Sequence, residues 1–143
     1  MAKSTDDLMK ILKDTSDIKR YVEENTEEMT DGNLGKYIEK LLEETGLTIA
    51  KVARRGQLSD SYLYKISEDR KSNISRDKVI QICFGFGLDA EGSRKLLRAA
   101  RVGELYPRIR RDSIILFCLE KHIDIIECDK KLIEAGDKKL LRE

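Results

Sequence analysis

Four polar side chains fall on one side of a short amphipathic segment, Ser59 to Glu68 (SDSYLYKISE). Leu63 and Ile66 are three residues apart and set its inner face, with Tyr62 at the flank. Asp60, Ser61, Tyr64 and Lys65 are then left facing outward. These types are donors and acceptors of the kind that meet base edges. Lys65 suits guanine acceptors, Ser61 can donate or accept, and Asp60 can accept from a cytosine amine or favour the helix N-terminus. Tyr64 can hydrogen-bond a phosphate or touch a thymine methyl. Lys51, Arg54 and Arg55 precede this segment, and Arg70, Lys71 and Asn73 follow it. Lys51, Arg54 and Arg55 would hold a sugar-phosphate backbone rather than specify a sequence. For each residue alone, a solvated surface role competes equally; their clustering on one face favours function.

The elements that must position these residues are two short helices over Gly46 to Lys71. Thr48 and Ser59 supply hydroxyl caps for the two helix starts and complete the candidate set. Ile49, Val52 and Ala53 give the first helix its apolar face, and the small Ala53 lets the second cross it closely. Gly56 stands where the helix should stop, and the expectation is that it supplies the positive φ of the turn. Leu58 plugs that turn. The pattern predicts a helix-turn-helix, whose second helix can enter a DNA major groove.

On Ala53, Leu58, Ser59, Tyr62, Leu63, Lys65 and Ile66 the chain resembles the lambda-repressor and Cro type of helix-turn-helix, the XRE family of bacterial and phage regulators. The resemblance covers roughly residues 34–88. Gly56 falls one place early and Gln57 stands where glycine is usual; Ile49 replaces the polar residue that reaches a phosphate in relatives. The resemblance implies sequence-specific binding of double-stranded DNA in transcriptional regulation, by a homodimer on a palindromic site.

Charge supports the placement. Residues 1–45 carry seven Lys/Arg and twelve Asp/Glu, residues 46–76 seven and three, and residues 77–143 fourteen and twelve. The middle block is the most basic for its length, so nucleic acid is met there and repelled by the acidic N-terminal third. A second basic cluster holds Arg94, Lys95, Arg98, Arg101, Arg108, Arg110 and Arg111 against one acid, Glu104. It could extend a DNA footprint, grip the acidic N-terminal segment, dock an acidic or phosphorylated protein partner, or form intramolecular ion pairs.

Around this motif the chain reads as all-α. Residues 1–31 form an N-terminal helical arm, 32–104 the helix-turn-helix DNA-binding domain, and 105–143 a C-terminal helical extension. Ser4 to Asp7 offers a capping box, followed by a stripe of Leu8, Ile11, Leu12, Ile18 and Val22 that breaks near Thr15-Ser16. The arm either packs on the domain, moves freely, or serves a partner. The acidic run EENTEEMTDGN ends it in turn residues. Leu34, Tyr37, Ile38, Leu41 and Leu42 follow helical spacing, with Gly46 as the stop. Ser75 caps the next helix, which Gly85 and Gly87 are expected to end loosely. Pro107 breaks the pattern, and Tyr106-Pro107 closes a turn. Shifting by 35 residues lays Arg76-Asp77, Ile80, Cys83, Asp89, Leu97 and Leu105 on Arg111-Asp112, Ile115, Cys118, Asp124, Leu132 and Leu140. Residues 105–143 thus resemble 76–106, as repeated helix pairs. Two copies do not make a solenoid, for which at least three are normally needed.

Several classes fall away. The single histidine, His122, excludes most His-based catalytic and metal constellations and reads as a helix-end residue. No phosphate-cradling glycine loop is present, so no enzyme and no cofactor are expected. Cys83, Cys118 and Cys128 form no CxxC pair and read as reduced, buried thiols of a cytoplasmic protein. The start MAKSTDDL lacks an apolar signal region, and no apolar run approaches ~20 residues, so no membrane span is expected. The competing class is a non-catalytic protein–protein interaction module that reuses the fold.

Overall fold

The computed structural model describes residues 4–24, 34–71 and 73–142. The described residues contain nine α-helices and no strand. They divide into two compact units between residues 31 and 32.

The first unit contains α1 (Thr5–Asp14) and α2 (Ile18–Glu24). Ser4 caps α1 through the expected box: its hydroxyl accepts from Asp7 N at 3.0 Å, and the Asp7 carboxylate accepts from Ser4 N at 3.3 Å. The break falls where the sequence placed it, with Thr15 extended after α1 and the Asp17 carboxylate accepting from Lys19 N and Arg20 N. The side chain of Val22 and most of the acidic run at 23–33 lie outside the described residues.

The second unit runs α3 (Leu34–Thr45), α4 (Ile49–Arg55), α5 (Asp60–Ser67), α6 (Arg76–Phe86), α7 (Ala90–Ala99), α8 (Arg110–Glu120) and α9 (Ile125–Glu134). Its core draws on every one of these helices. Ile38, Val52, Leu63, Ile66, Ile80, Leu97, Ile115 and Leu132 are among the side chains removed from solvent. Burying a side chain of this size contributes about 1.5–3 kcal/mol each, which is what fixes short helices that would not hold alone.

Two glycines determine how closely α4 meets α6, and both depart from the sequence expectation. Gly56 has φ −87°, an ordinary right-handed value, so it does not supply the turn's positive φ. A Cβ there would stand 2.5 Å from the backbone oxygen of Gln81. The left-handed residue is Gln57, at φ 59°. Gly85 does not loosen α6; it lies inside the helix, where a Cβ would come within 2.4 Å of the Val52 carbonyl oxygen. Gly87 alone ends the helix, left-handed at φ 69°.

The α8–α9 pair follows the same plan as α6–α7. Asp89 and Asp124 cap α7 and α9 by accepting from the amides three residues on, at 2.8 and 2.9 Å. Leu88 N donates to Cys83 O, and Ile123 N donates to Cys118 O. His122 ends α8 in the left-handed place that Gly87 holds after α6, at φ 56°. The helix starts differ by one residue: Ser75 caps α6, whereas its counterpart Arg110 is already helical and α8 has no side-chain cap. Cys83 and Cys118, 35 residues apart, are both buried, and so is Cys128. Burial pushes the Cys83 thiol up to about 12 and raises the other two, so all three stay protonated and unreactive.

The repeated Arg-Asp dipeptide locks the copies together reciprocally. Arg76 Nη2 donates to Asp112 Oδ2 at 2.6 Å, while Arg111 Nη1 and Nη2 donate to the two carboxylate oxygens of Asp77 at 3.1 and 3.0 Å. Each arginine also reaches equivalent backbone. Arg76 donates to the carbonyls of Gly103 and Glu104, and Arg111 to those of Lys138 and Lys139. Asp112 is buried and accepts in addition from Tyr106 N, which holds the turn before Pro107. Asp129 is buried and fastens the following segment by accepting from Leu140 N and Leu141 N.

Candidate nucleic-acid interface

α4 and α5 are built by their caps and held by their inner faces. Thr48 Oγ1 accepts from Lys51 N at 3.2 Å, and Ser59 Oγ accepts from Tyr62 N at 3.1 Å. Each bond satisfies an amide that the first helical turn leaves open. Val52, Ala53 and Leu63 have no accessible surface and Ile66 has almost none, so the inner faces of both helices are closed to solvent. Leu58 is half-buried in the turn.

The turn is tied from a distance. Gln81 is buried on α6, and its amide nitrogen donates to Gly56 O at 3.0 Å and to Gln57 O at 3.4 Å. Gln57 returns a bond to Arg54 O. Sequence reasoning missed Gln81, which lies 25 residues from the turn it holds. A glutamine in an otherwise apolar face, between Ile80 and Ile82, was the available signal.

With the inner face fixed, the outer face follows. Thr48, Lys51, Arg54, Arg55, Ser59, Asp60, Ser61, Tyr64, Lys65, Arg70, Lys71 and Asn73 are all exposed. Tyr64 stands half out of the surface, and the hydrogen bond of its hydroxyl to Glu68 raises its pKa. Arg70 makes a loose contact with Glu68 at 3.4 Å. Lys71 lies over the Tyr62 ring at 5.8 Å, with Lys78 at 5.9 Å from it. Asp69 and Asn73 take left-handed backbone, φ 60° and 58°, and shape the loop that carries Arg70 and Lys71. Among the described residues the side chains of Lys51, Arg54, Arg55 and Lys65 have no ion-pair or hydrogen-bond partner. Arg55 sits apart from the others: its guanidinium lies against Gly87, where an added Cβ would stand 2.7 Å from Nη2.

Residues 35–102 match the model of a helix-turn-helix domain. The matched stretch runs from the start of α3 past the end of α7 and contains α4, the turn and α5. The fold is therefore all-α with a helix-turn-helix domain, extended by the α8–α9 pair. No match was found among curated proteins or among solved structures.

The second basic cluster is organised otherwise. Arg94 donates from Nε and Nη2 to the Glu91 carboxylate at 3.1 and 2.6 Å, and Glu104 lies 3.9 Å from both Arg94 and Arg98. Arg110 donates to both oxygens of Asp137, at 2.9 and 3.1 Å, and Arg111 is held by Asp77. These arginines hold Glu91 and Asp137 below the usual carboxylate range. Of the readings the sequence left open for this strip, intramolecular ion pairing is the one the contacts display. Among the described residues no group of His, Cys, Asp and Glu could hold a metal ion, and no helix is long and apolar enough to cross a membrane.

Proposed function

We propose that the chain binds double-stranded DNA sequence-specifically, as a cytoplasmic transcriptional regulator of the lambda-repressor or XRE type, with α5 as the reading helix. The observation that carries this reading is the contrast between the two faces of α5. Leu63 and Ile66 are buried, while Asp60, Ser61, Tyr64 and Lys65 are exposed, and Lys51, Arg54 and Lys65 have no ion-pair partner among the described residues. An unpaired cation keeps its full charge available to a phosphate, and its binding releases counterions. Lys65 and Ser61 contact base edges, Asp60 accepts from a cytosine amine, and Tyr64 meets a phosphate or a thymine methyl. Lys51, Arg54, Arg70, Lys71 and Asn73 grip the backbone, with the Thr48 and Ser59 caps orienting the helix starts toward it. Arg55 is left out of this set because its guanidinium turns to Gly87. Two copies on a palindrome would place their α5 helices about 34 Å apart, one turn of DNA. No step of this function is catalytic.

The competing reading, an interaction module docking an acidic or phosphorylated partner on Arg94–Arg111, is weaker on the same grounds. Such a partner must displace Glu91, Glu104, Asp77 and Asp137 from arginines they already hold. The experiment is selection from a random duplex pool at two salt concentrations. An enriched sequence whose affinity falls steeply with salt supports the proposal. No enrichment, with weak binding indifferent to salt, sinks it.

A further inference from the structure

A cleft of ≈ 280 Å³ opens where the helix-turn-helix turn meets the junctions of both helix pairs. Phe84 and Leu119, both buried in the core and equivalent in the two copies, form its floor. Gly87 and His122, the equivalent left-handed residues, stand on its walls, and Arg55 reaches in from the end of α4. The space is large enough for several waters or a medium-chain organic molecule.

Three observations indicate what it takes. Arg55 has no partner among the described residues, although acids neutralise most arginines of the neighbouring strip. Its head group is housed by a position without a side chain: a Cβ on Gly87 would collide with Nη2. The copies also differ here. Where α7 has Glu91, paired with Arg94, α9 has Ile126, which lines the cleft and is 44% exposed. The second copy thus puts an uncovered apolar side chain beside a free guanidinium. The one acid of the cleft, Asp124, is engaged in capping α9.

We propose that this cleft binds a small monocarboxylate with an apolar body, the carboxylate on Arg55 and the body against Phe84, Leu119 and Ile126. A guanidinium presents paired donors that match a carboxylate's two oxygens, and its low hydration suits a site with an apolar floor. The His122 ring adds a polar group at the rim. The site does not depend on whether the chain reads DNA, so it is tested on ligand binding alone.

The test titrates the full ¹⁵N-labelled chain with octanoate and, separately, with octan-1-ol, which has the same body without the charge. Octanoate should shift the amides of Arg55, Gly87 and residues 119–126 saturably, more tightly than octan-1-ol does. Arg55→Gln should weaken octanoate about tenfold, the loss of a charged hydrogen-bond partner, and leave octan-1-ol unchanged. Ile126→Glu, which restores the residue of the first copy, should abolish octanoate binding. Both residues are exposed, and unchanged amide positions elsewhere will verify the fold. Absence of saturable shifts, shifts centred elsewhere, equal affinity for the two probes, or wild-type octanoate affinity in Arg55→Gln would overturn the proposal.

Discussion

Two basic regions of this chain look alike as sequence and differ as structure. The helix-turn-helix block carries Lys51, Arg54 and Lys65 with no acid against them among the described residues. The strip from Arg94 to Arg111 is denser in arginine, but Glu91, Glu104, Asp77 and Asp137 occupy it. The difference is one of geometry. The acids that neutralise the strip come from positions up to 34 residues away, brought close by stacking the two helix pairs. Among the described residues no acid pairs with Lys65 on the outer face of α5, where Glu68 meets only Tyr64 and Arg70. A cation is available to a phosphate only if the fold has not already satisfied it, so a count of basic residues is a poor guide to a binding surface. Arg94, Arg110 and Arg111 of the strip are held by acids, whereas Lys51, Arg54 and Lys65 have no such partner among the described residues.

The sharpest way to break this comparison is to unpair an arginine of the lock between the two helix pairs and look for a loss of stability rather than of binding. Arg76→Ala would leave Asp112 buried, its Oδ1 already without a partner. Breaking a buried pair on one side costs roughly 3–5 kcal/mol, visible as a lowered denaturant midpoint. If the midpoint stays at the wild-type value, the reciprocal lock contributes nothing and the two regions are not distinguished by it.

The next effect lies in the other region. Lys65→Glu should keep the wild-type midpoint, since Lys65 is exposed. It should cost selected DNA about 1–3 kcal/mol of discrimination at one base position, measured by competition between point-variant duplexes. A folded variant with unchanged sequence preference would remove α5 as the reader. Lys51→Ala and Arg54→Ala sharpen the contrast more gently. Each should lower affinity evenly across sequences and reduce the salt slope by about one. The exposed strip variant Arg98→Ala should leave that slope alone and change stability by less than about 1 kcal/mol.

The smallest effect is one of pH. Arg110 lowers the pKa of Asp137, chiefly through their hydrogen bond, with Arg111 adding to it. A carboxyl depressed in the fold stabilises above its unfolded pKa, and that contribution disappears as pH falls through the folded value. Asp137→Asn should therefore melt slightly below wild type at neutral pH and converge with it in acid. The pair is open to solvent, so only a small difference is expected. Equal melting at every pH would show that this pair contributes nothing.

Much of this architecture was legible in the chain. The hydroxyl caps Ser4, Thr48, Ser59 and Ser75 all act as the sequence predicts, because a cap bond spans three residues and is decided locally. The inner faces of α4 and α5 were legible for the same reason: helical period alone separates Leu63 and Ile66 from Asp60, Ser61, Tyr64 and Lys65. The shift of 35 residues lays α6–α7 on α8–α9, and Cys83 and Cys118 are both buried.

What sequence reading misassigned were glycines whose reason lies across the fold. Gly56 is required by the Gln81 carbonyl and Gly85 by Val52, neither of which is a neighbour in sequence. The positive φ of the turn fell to Gln57, one place after the glycine that the sequence suggested for it.

The sequence by itself determined the hydroxyl caps and the inner and outer faces of the helices, since these rest on bonds and periods a few residues long. Only the tertiary structure decided which cations are free. Ion pairing between residues 27 to 36 apart depends on how two helix pairs stack, and nothing in the local pattern of Arg94–Arg111 distinguishes an arginine that will meet Asp77 or Asp137 from one that will meet solvent. Only the tertiary structure, too, brings Arg55 to the cleft lined by Gly87 and His122.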